Sequence, residues 1–258
     1  SEMPSHPELI DFLDARLRSK SADGGRWSIK RLHREMVLSS TYRQSTGAAP
    51  DRDPSNRLLS VFPYRRYDAE RIRDSFLSAA GLLSRRIGGP SVFPPQPLSV
   101  VQMAYGNTPW PVSTGADRYR RSLYTFSKRT APFAAYTTFD APSGEVCTTR
   151  RDRSTTPLQA LTLLNDQMYL EIAQQLAEQA KRDVAVFDDL DSDDVVENSE
   201  SANRAIAERL FQRLLVRKPS VAELDSILAF YHNQSDHERP WMLVARVLMN
   251  TDEAITTP

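Results

Sequence analysis

Apolar residues return every three or four positions in two long tracts of the chain and lose that rhythm between them. In the first tract, Leu9, Phe12, Leu13 and Leu17 follow Ser5-His6-Pro7-Glu8. That pattern predicts a helix opened by a capping box with proline in its first turn. Asp23-Gly24-Gly25 breaks it, and Ser28 caps a second helix whose stripe is Ile29, Leu32, Met36 and Val37. Residues 56–62 read as a short apolar helix or an extended piece. Asp68 then caps a third helix with Ile72, Phe76, Ala80 and Leu83 inward and Arg71, Arg73 and Asp74 outward, ended by Gly88-Gly89-Pro90.

The second tract is more regular. Thr156-Pro157-Leu158-Gln159 is a capping box, and Leu161, Leu164, Met168, Ile172 and Leu176 repeat at helical spacing behind it. Ile206, Leu210, Phe211 and Leu214 mark a further helix stopped by Pro219. Ser220 to Glu223 caps the next, with Leu224, Ile227, Leu228 and Tyr231 inward, and Pro240 starts a last one at Trp241. Short connections make these antiparallel neighbours in a bundle. Between the tracts, five prolines over 91–111 exclude continuous helix. Val100-Val101-Gln102-Met103 reads as a short strand, and 122–126 alternates as one, with 145–149 as its partner. The fold class expected is therefore mainly α: a helical bundle with a long central irregular segment and at most a two- or three-stranded β-ribbon. We read 1–258 as a single mainly helical domain, with a helical layer over 1–90, an irregular Pro/Arg-rich segment over 91–153 and a bundle over 154–258.

Composition adds little globally and much locally. With 33 basic and 33 acidic side chains, no overall field argues for nucleic acid or a membrane surface, and no apolar run is long enough to span a bilayer. One cysteine, Cys147, excludes an internal disulfide and a Cys-rich zinc site; a buried inert thiol is the expectation for it. The run 183–200 holds eight acids and no Lys or Arg, as a solvated linker would. Residues 117–153 hold eight Arg/Lys against four acids, among six aromatics that a disordered tract would lack.

Candidate chemistry concentrates in that segment. Arg150, Arg151, Arg153, Thr155 and Thr156 precede a helix N-terminus, where free amides and guanidinium groups suit a sulfate, phosphate or carboxylate; Arg120, Arg121 and Arg129 would support them. The competing reading is structural: Thr156 caps the helix while the arginines tie the segment together through Asp140, Asp152 or Glu145. Asp140, in a turn beside aromatics, is the candidate catalytic carboxylate, with burial raising its pKa. No second carboxylate is placed near it. His33 lies beside an apolar stripe as a half-buried histidine would, and His232 and His237 lack metal-ligand spacing. No motif for a metal or cofactor occurs in the chain, so none is expected.

PSHPELIDFL, WSIKRLHREMVLSSTYRQS, RRSLYTFSKRTAP and TFDAPSGEVCTTRRDRSTTPLQALTLLND together resemble the C-terminal planctomycete-specific domain of unknown function. The resemblance runs in order through nearly the whole chain; Ser127 stands where the family pattern leads one to expect tryptophan. It implies an exported multidomain protein of the periplasm, cell envelope or extracellular space, of which this chain is the C-terminal fragment, partnered by upstream domains of the same polypeptide. The expected function is binding or scaffolding through an arginine-rich pocket for an anionic group on a polysaccharide, a peptide or a neighbouring domain. The alternative is a hydrolase or lyase of envelope or algal polysaccharide with Asp140 as acid or base.

Overall fold

A computed structural model of the chain describes residues 3–20, 26–47, 50–97, 110–128, 131–148, 150–188, 199–234 and 237–257. The break at 23–25, the strand at 100–103, Arg129, Thr149 and most of the acidic run lie outside them. The chain forms two compact units, residues 1–65 with 257–258, and residues 66–256.

The first unit carries α1 (Pro7–Arg18) and α2 (Ile29–Leu38). His6, not Ser5, occupies the N-cap of α1 and makes no side-chain capping bond. The Ser5 hydroxyl meets the His6 ring at 2.9 Å instead, so the predicted capping box does not form. Ser28 does cap α2, accepting from the Arg31 amide. Arg16 grips Glu35 with two nitrogens, at 2.7 and 3.3 Å, and joins the two helices. Residues 56–62 are neither helix nor strand: a turn at 57–58 leads to an isolated parallel bridge between Phe62 and Thr46. Asn56, in left-handed backbone (φ 50°), bonds both the amide and the carbonyl of Val61. The buried Asp53 carboxylate takes the amides of Arg57 and Leu58. Apolar side chains on both helices, Leu9, Phe12, Met36 and Val37 among them, stay exposed, as does His33.

The second unit is built on α3 (Ala69–Ala79), α4 (Ala134–Thr138), α5 (Pro157–Asn165), α6 (Gln167–Asp188), α7 (Glu200–Leu215), α8 (Val221–Asn233), α9 (Pro240–Met249) and α10 (Asp252–Ile255). Its fold is mainly α. The axis is α6, whose Met168, Ile172, Leu176 and Ala180 recur every fourth residue and are buried against α3, α7 and α9. Phe76 meets Tyr169 edge to face at 6.1 Å, and Tyr231 stacks on Trp241 at 4.2 Å. Asp183, at the head of the acidic run, belongs to α6 and is held by Arg213 at 2.6 Å.

Four expectations fail here for identifiable reasons. The pattern from Leu161 to Leu176 is not one helix. Asp166 adopts extended backbone (ψ 134°) and its carboxylate accepts the Met168 amide, so the chain stops and restarts. The break shifts the phase, so that Leu163 is buried and Leu161 exposed. Residues 122–124 form a 3-10 turn, not a strand, and 145–148 form no strand beside them. Pairing is confined to isolated bridges, Ser84 with Arg120 and Val92 with Thr125 among them. Helix α3 ends at Ala79, with Ala80 as its C-cap, well before Gly88. Gly81, at φ 71°, supplies the left-handed turn that lets the Leu82 and Leu83 amides return to the Leu77 carbonyl. Finally, Arg73 is not outward: it is 1% exposed. Among 91–97, Pro94, Pro95 and Gln96 are buried, as an ordered crossover requires.

Candidate functional site

The Arg/Thr-rich segment packs beside α3, and most of its arginines are already engaged. Arg73, on the buried side of α3, donates to the carbonyls of Arg120 (2.7 Å) and Arg118 (3.2 Å), to the Ser122 hydroxyl and to the Met168 sulfur. Burial lowers its pKa from the usual guanidinium value, against the nearby Tyr136 and Asp74. Arg120, also 1% exposed, points the other way. Its guanidinium donates to the carbonyls of Arg86, Gly88 and Pro90 and lies over the Tyr124 ring at 3.7 Å. Arg118 holds Glu171 of α6.

Asp140 is a clasp. It sits in left-handed backbone (φ 58°), a conformation that aspartate tolerates better than most residues. Its carboxylate accepts from Arg66 (2.6 Å), from the Ser154 amide (2.8 Å) and hydroxyl, and from Gln159 (3.4 Å). Arg66 continues to the carbonyls of Ser154, Tyr67 and Phe139. Burial works to raise the Asp140 pKa, but the Ser154 amide and hydroxyl and then Arg66 outweigh it and hold the carboxyl below its ordinary range. The sequence expectation was the opposite. A carboxylate so held is ionised at neutral pH and cannot donate a proton there.

Thr156 caps α5 as predicted, in a reciprocal capping box with Gln159. Replacing Thr156 with alanine is expected to cost about 1 kcal/mol in urea unfolding; no change would mean the cap is idle. Thr155 is exposed. Arg151 grips Glu70 with both terminal nitrogens, at 2.7 and 3.1 Å, and Arg153 reaches Asp68 at 3.1 Å. Asp68 therefore stands at the N-cap of α3 without a capping bond. Arg150 is exposed and has no partner among the described residues. Cys147, expected inside, is exposed. Among the described residues no group of His, Cys, Asp and Glu could hold a metal, and no helix is long and apolar enough to cross a membrane.

What these bonds frame is an open groove of about 670 Å³. One wall is the first two turns of α3, with Asp68, Glu70, Arg71 and Asp74; the other runs from Arg121 through Leu123 and Phe126 to Ser127. Phe133, Tyr136 and Thr137 from the start of α4, then Ala141 to Ser143 and Arg151, close it. Tyr136 donates to the Ser122 carbonyl and meets Thr125, and burial raises its pKa. Behind it Trp110 stacks on Phe133 at 6.1 Å and Phe93 lies 4.9 Å from Phe126. Three acids and three arginines line the groove. Asp68 and Glu70 are paired as above, Asp74 takes the Ser122 amide, and Arg71 lies over Tyr67. The Arg121 carbonyl accepts the Tyr124 amide, but its guanidinium has no hydrogen-bond or ion-pair partner among the described residues.

Of the residues singled out from sequence, Arg121 and Arg151 line the groove, whereas Arg120, Arg150, Arg153, Thr155, Thr156 and Asp140 do not. The sequence reading missed Arg66, Glu70 and Gln159 as partners. A signal for Arg73 was present: Ala69, Ile72, Phe76, Leu77 and Ala80 form a stripe into which position 73 falls.

The fold and groove define a mainly α-helical module organised by internal arginines. The chain belongs to the PSD1 family, described as proteins of unknown function (DUF1553), whose model matches residues 1–231. No curated protein and no solved structure matches it.

Proposed function

We propose that this is a binding module and that the groove beside α3 receives an anionic saccharide chain. The observation that carries the reading is Arg121, a guanidinium without a partner among the described residues, set in a groove lined by hydroxyls and aromatic rings. A peptide adding as a strand needs a free backbone edge, and here that edge is occupied. The Ser122 amide goes to Asp74, the Ser122 carbonyl takes the Tyr136 hydroxyl, and Tyr124 and Phe126 pair with Val92. What remains are the side chains of Ser127, Thr137 and Ser143, with Phe126 and Leu123 at the rim. These suit the hydroxyls and flat faces of sugars. The family resemblance supports placing the module in an exported protein beside further domains of the same polypeptide.

Calorimetric titration with sulfated, carboxylated and neutral oligosaccharides of equal length tests the reading. Binding of the charged oligosaccharides is expected to weaken with salt and to fall about tenfold or more in Arg121→Ala, the loss of one charge-assisted hydrogen bond. Binding that is absent, or indifferent to Arg121, overturns it.

A further inference from the structure

The arginines of this unit differ sharply in how firmly they are held. Arg66, Arg73 and Arg120 are buried, at 4%, 1% and 1% exposed, and donate to main-chain carbonyls. Arg151 and Glu70, by contrast, are 36% and 32% exposed, and both face the groove. Their bond is bidentate, the geometry in which a guanidinium takes any planar carboxylate. A pair this open to water shifts an equilibrium by about fivefold or less, so exchanging one carboxylate for another is nearly free.

We infer that Glu70 is an internal stand-in for a carboxylate of the ligand, and that Arg151 is a second receptor in the groove which the ligand must take from Glu70. This rests on the groove being the binding site. The device sets specificity. A uronate-bearing chain offers the same planar group that Glu70 offers and replaces it bond for bond, while a tetrahedral sulfate matches the fork less well. Asp68, 4.0 Å from Arg151 and held mainly by Arg153, stays behind as the wall's fixed charge. The acids on α3 thereby repel ligands that lack a group able to win Arg151, and Arg121 carries the first contact.

Glu70→Gln tests this directly, because removing an acid from a wall is expected to tighten binding of an anion. With an oligouronate as the probe, affinity should rise about threefold to fivefold, the worth of the abolished competing pair, with a steeper dependence on salt. Arg151→Gln should weaken binding by a similar factor, and the double variant should lose the gain. A sulfated oligosaccharide should gain less from Glu70→Gln. Thermal unfolding of each variant confirms the fold. If the unchanged protein binds the oligouronate through Arg121 but Glu70→Gln binds equally or more weakly, the stand-in role is overturned and the groove reading stands. If neither protein binds the oligouronate, the stand-in role falls; if the sulfated oligosaccharide is not bound either, the groove reading falls with it.

Discussion

Replacing Arg73 with alanine is expected to lower the unfolding free energy of the protein by about 3–5 kcal/mol, since two carbonyls lose their donor and the large side chain leaves a void. The guanidinium is 1% exposed and supplies the carbonyls of Arg118, in a 3-10 turn over Gly115–Tyr119, and of Arg120 just after it, ahead of the 122–124 turn that borders the groove. Alanine leaves those carbonyls without their donor, leaves a void beside Met168, and frees Asp74 from its 3.6 Å contact. Lysine keeps the charge but cannot present a planar fork to two carbonyls, so it should restore only a minor part. Urea unfolding followed by circular dichroism measures both variants. A loss below about 1 kcal/mol for alanine, the size of one ordinary hydrogen bond, would mean the turns are held by something else.

Asp140→Ala is the second large effect, about 3 kcal/mol from two separable sources. Arg66, 4% exposed, loses its carboxylate while remaining inside. Alanine must also hold the left-handed backbone at φ 58°, which costs about 1–2 kcal/mol for a side chain that makes no local bond. Asparagine tolerates that conformation and keeps one acceptor, so Asp140→Asn should lose about half as much. The same residue gives the fold a pH dependence of known sign. Because the carboxyl is held below its ordinary range, the folded state favours the ionised form. Its contribution is complete above the unfolded carboxylate pKa of about 4, and disappears as pH falls through the lower folded value. The acid limb of unfolding should flatten in Asp140→Asn; an unchanged limb would remove Asp140 from the account.

The helices of the second unit were legible because burial and capping wrote themselves into local sequence. Thr156 with Gln159 and Ser220 with Glu223 form capping boxes, and the apolar stripe of α8 is buried as read. What misled was pattern without punctuation. Nothing in the spacing of Leu161, Leu164 and Met168 announces that Asp166 will cap a new helix, since the break preserves an approximate period while changing its phase. The alternation of 122–126 resembled a strand because tertiary bonds from Arg73 and Asp74 decide that backbone, and they come from ~50 residues earlier in the chain, where no local rule can see them. The site was half legible for the same reason. An arginine cluster was plain, but whether each guanidinium faces a carbonyl, an acid or open water is set by distant partners. Arg121 and Arg151 remained in the groove, while Arg120 turned inward.

The grip of Arg120 on the carbonyls of Arg86, Gly88 and Pro90 fixes a stretch that has no regular secondary structure. Those acceptors are main-chain atoms, so they survive a change of side chain at positions 86 to 90, apart from the two glycines at φ 79° and 91°. They do not survive a change in spacing. One residue added or removed there slides the oxygens past a guanidinium that cannot follow, because Tyr124 lies flat against it. This stretch is therefore measured by its length: relatives that keep Arg120 should vary in spelling between 86 and 90 and agree in the number of letters.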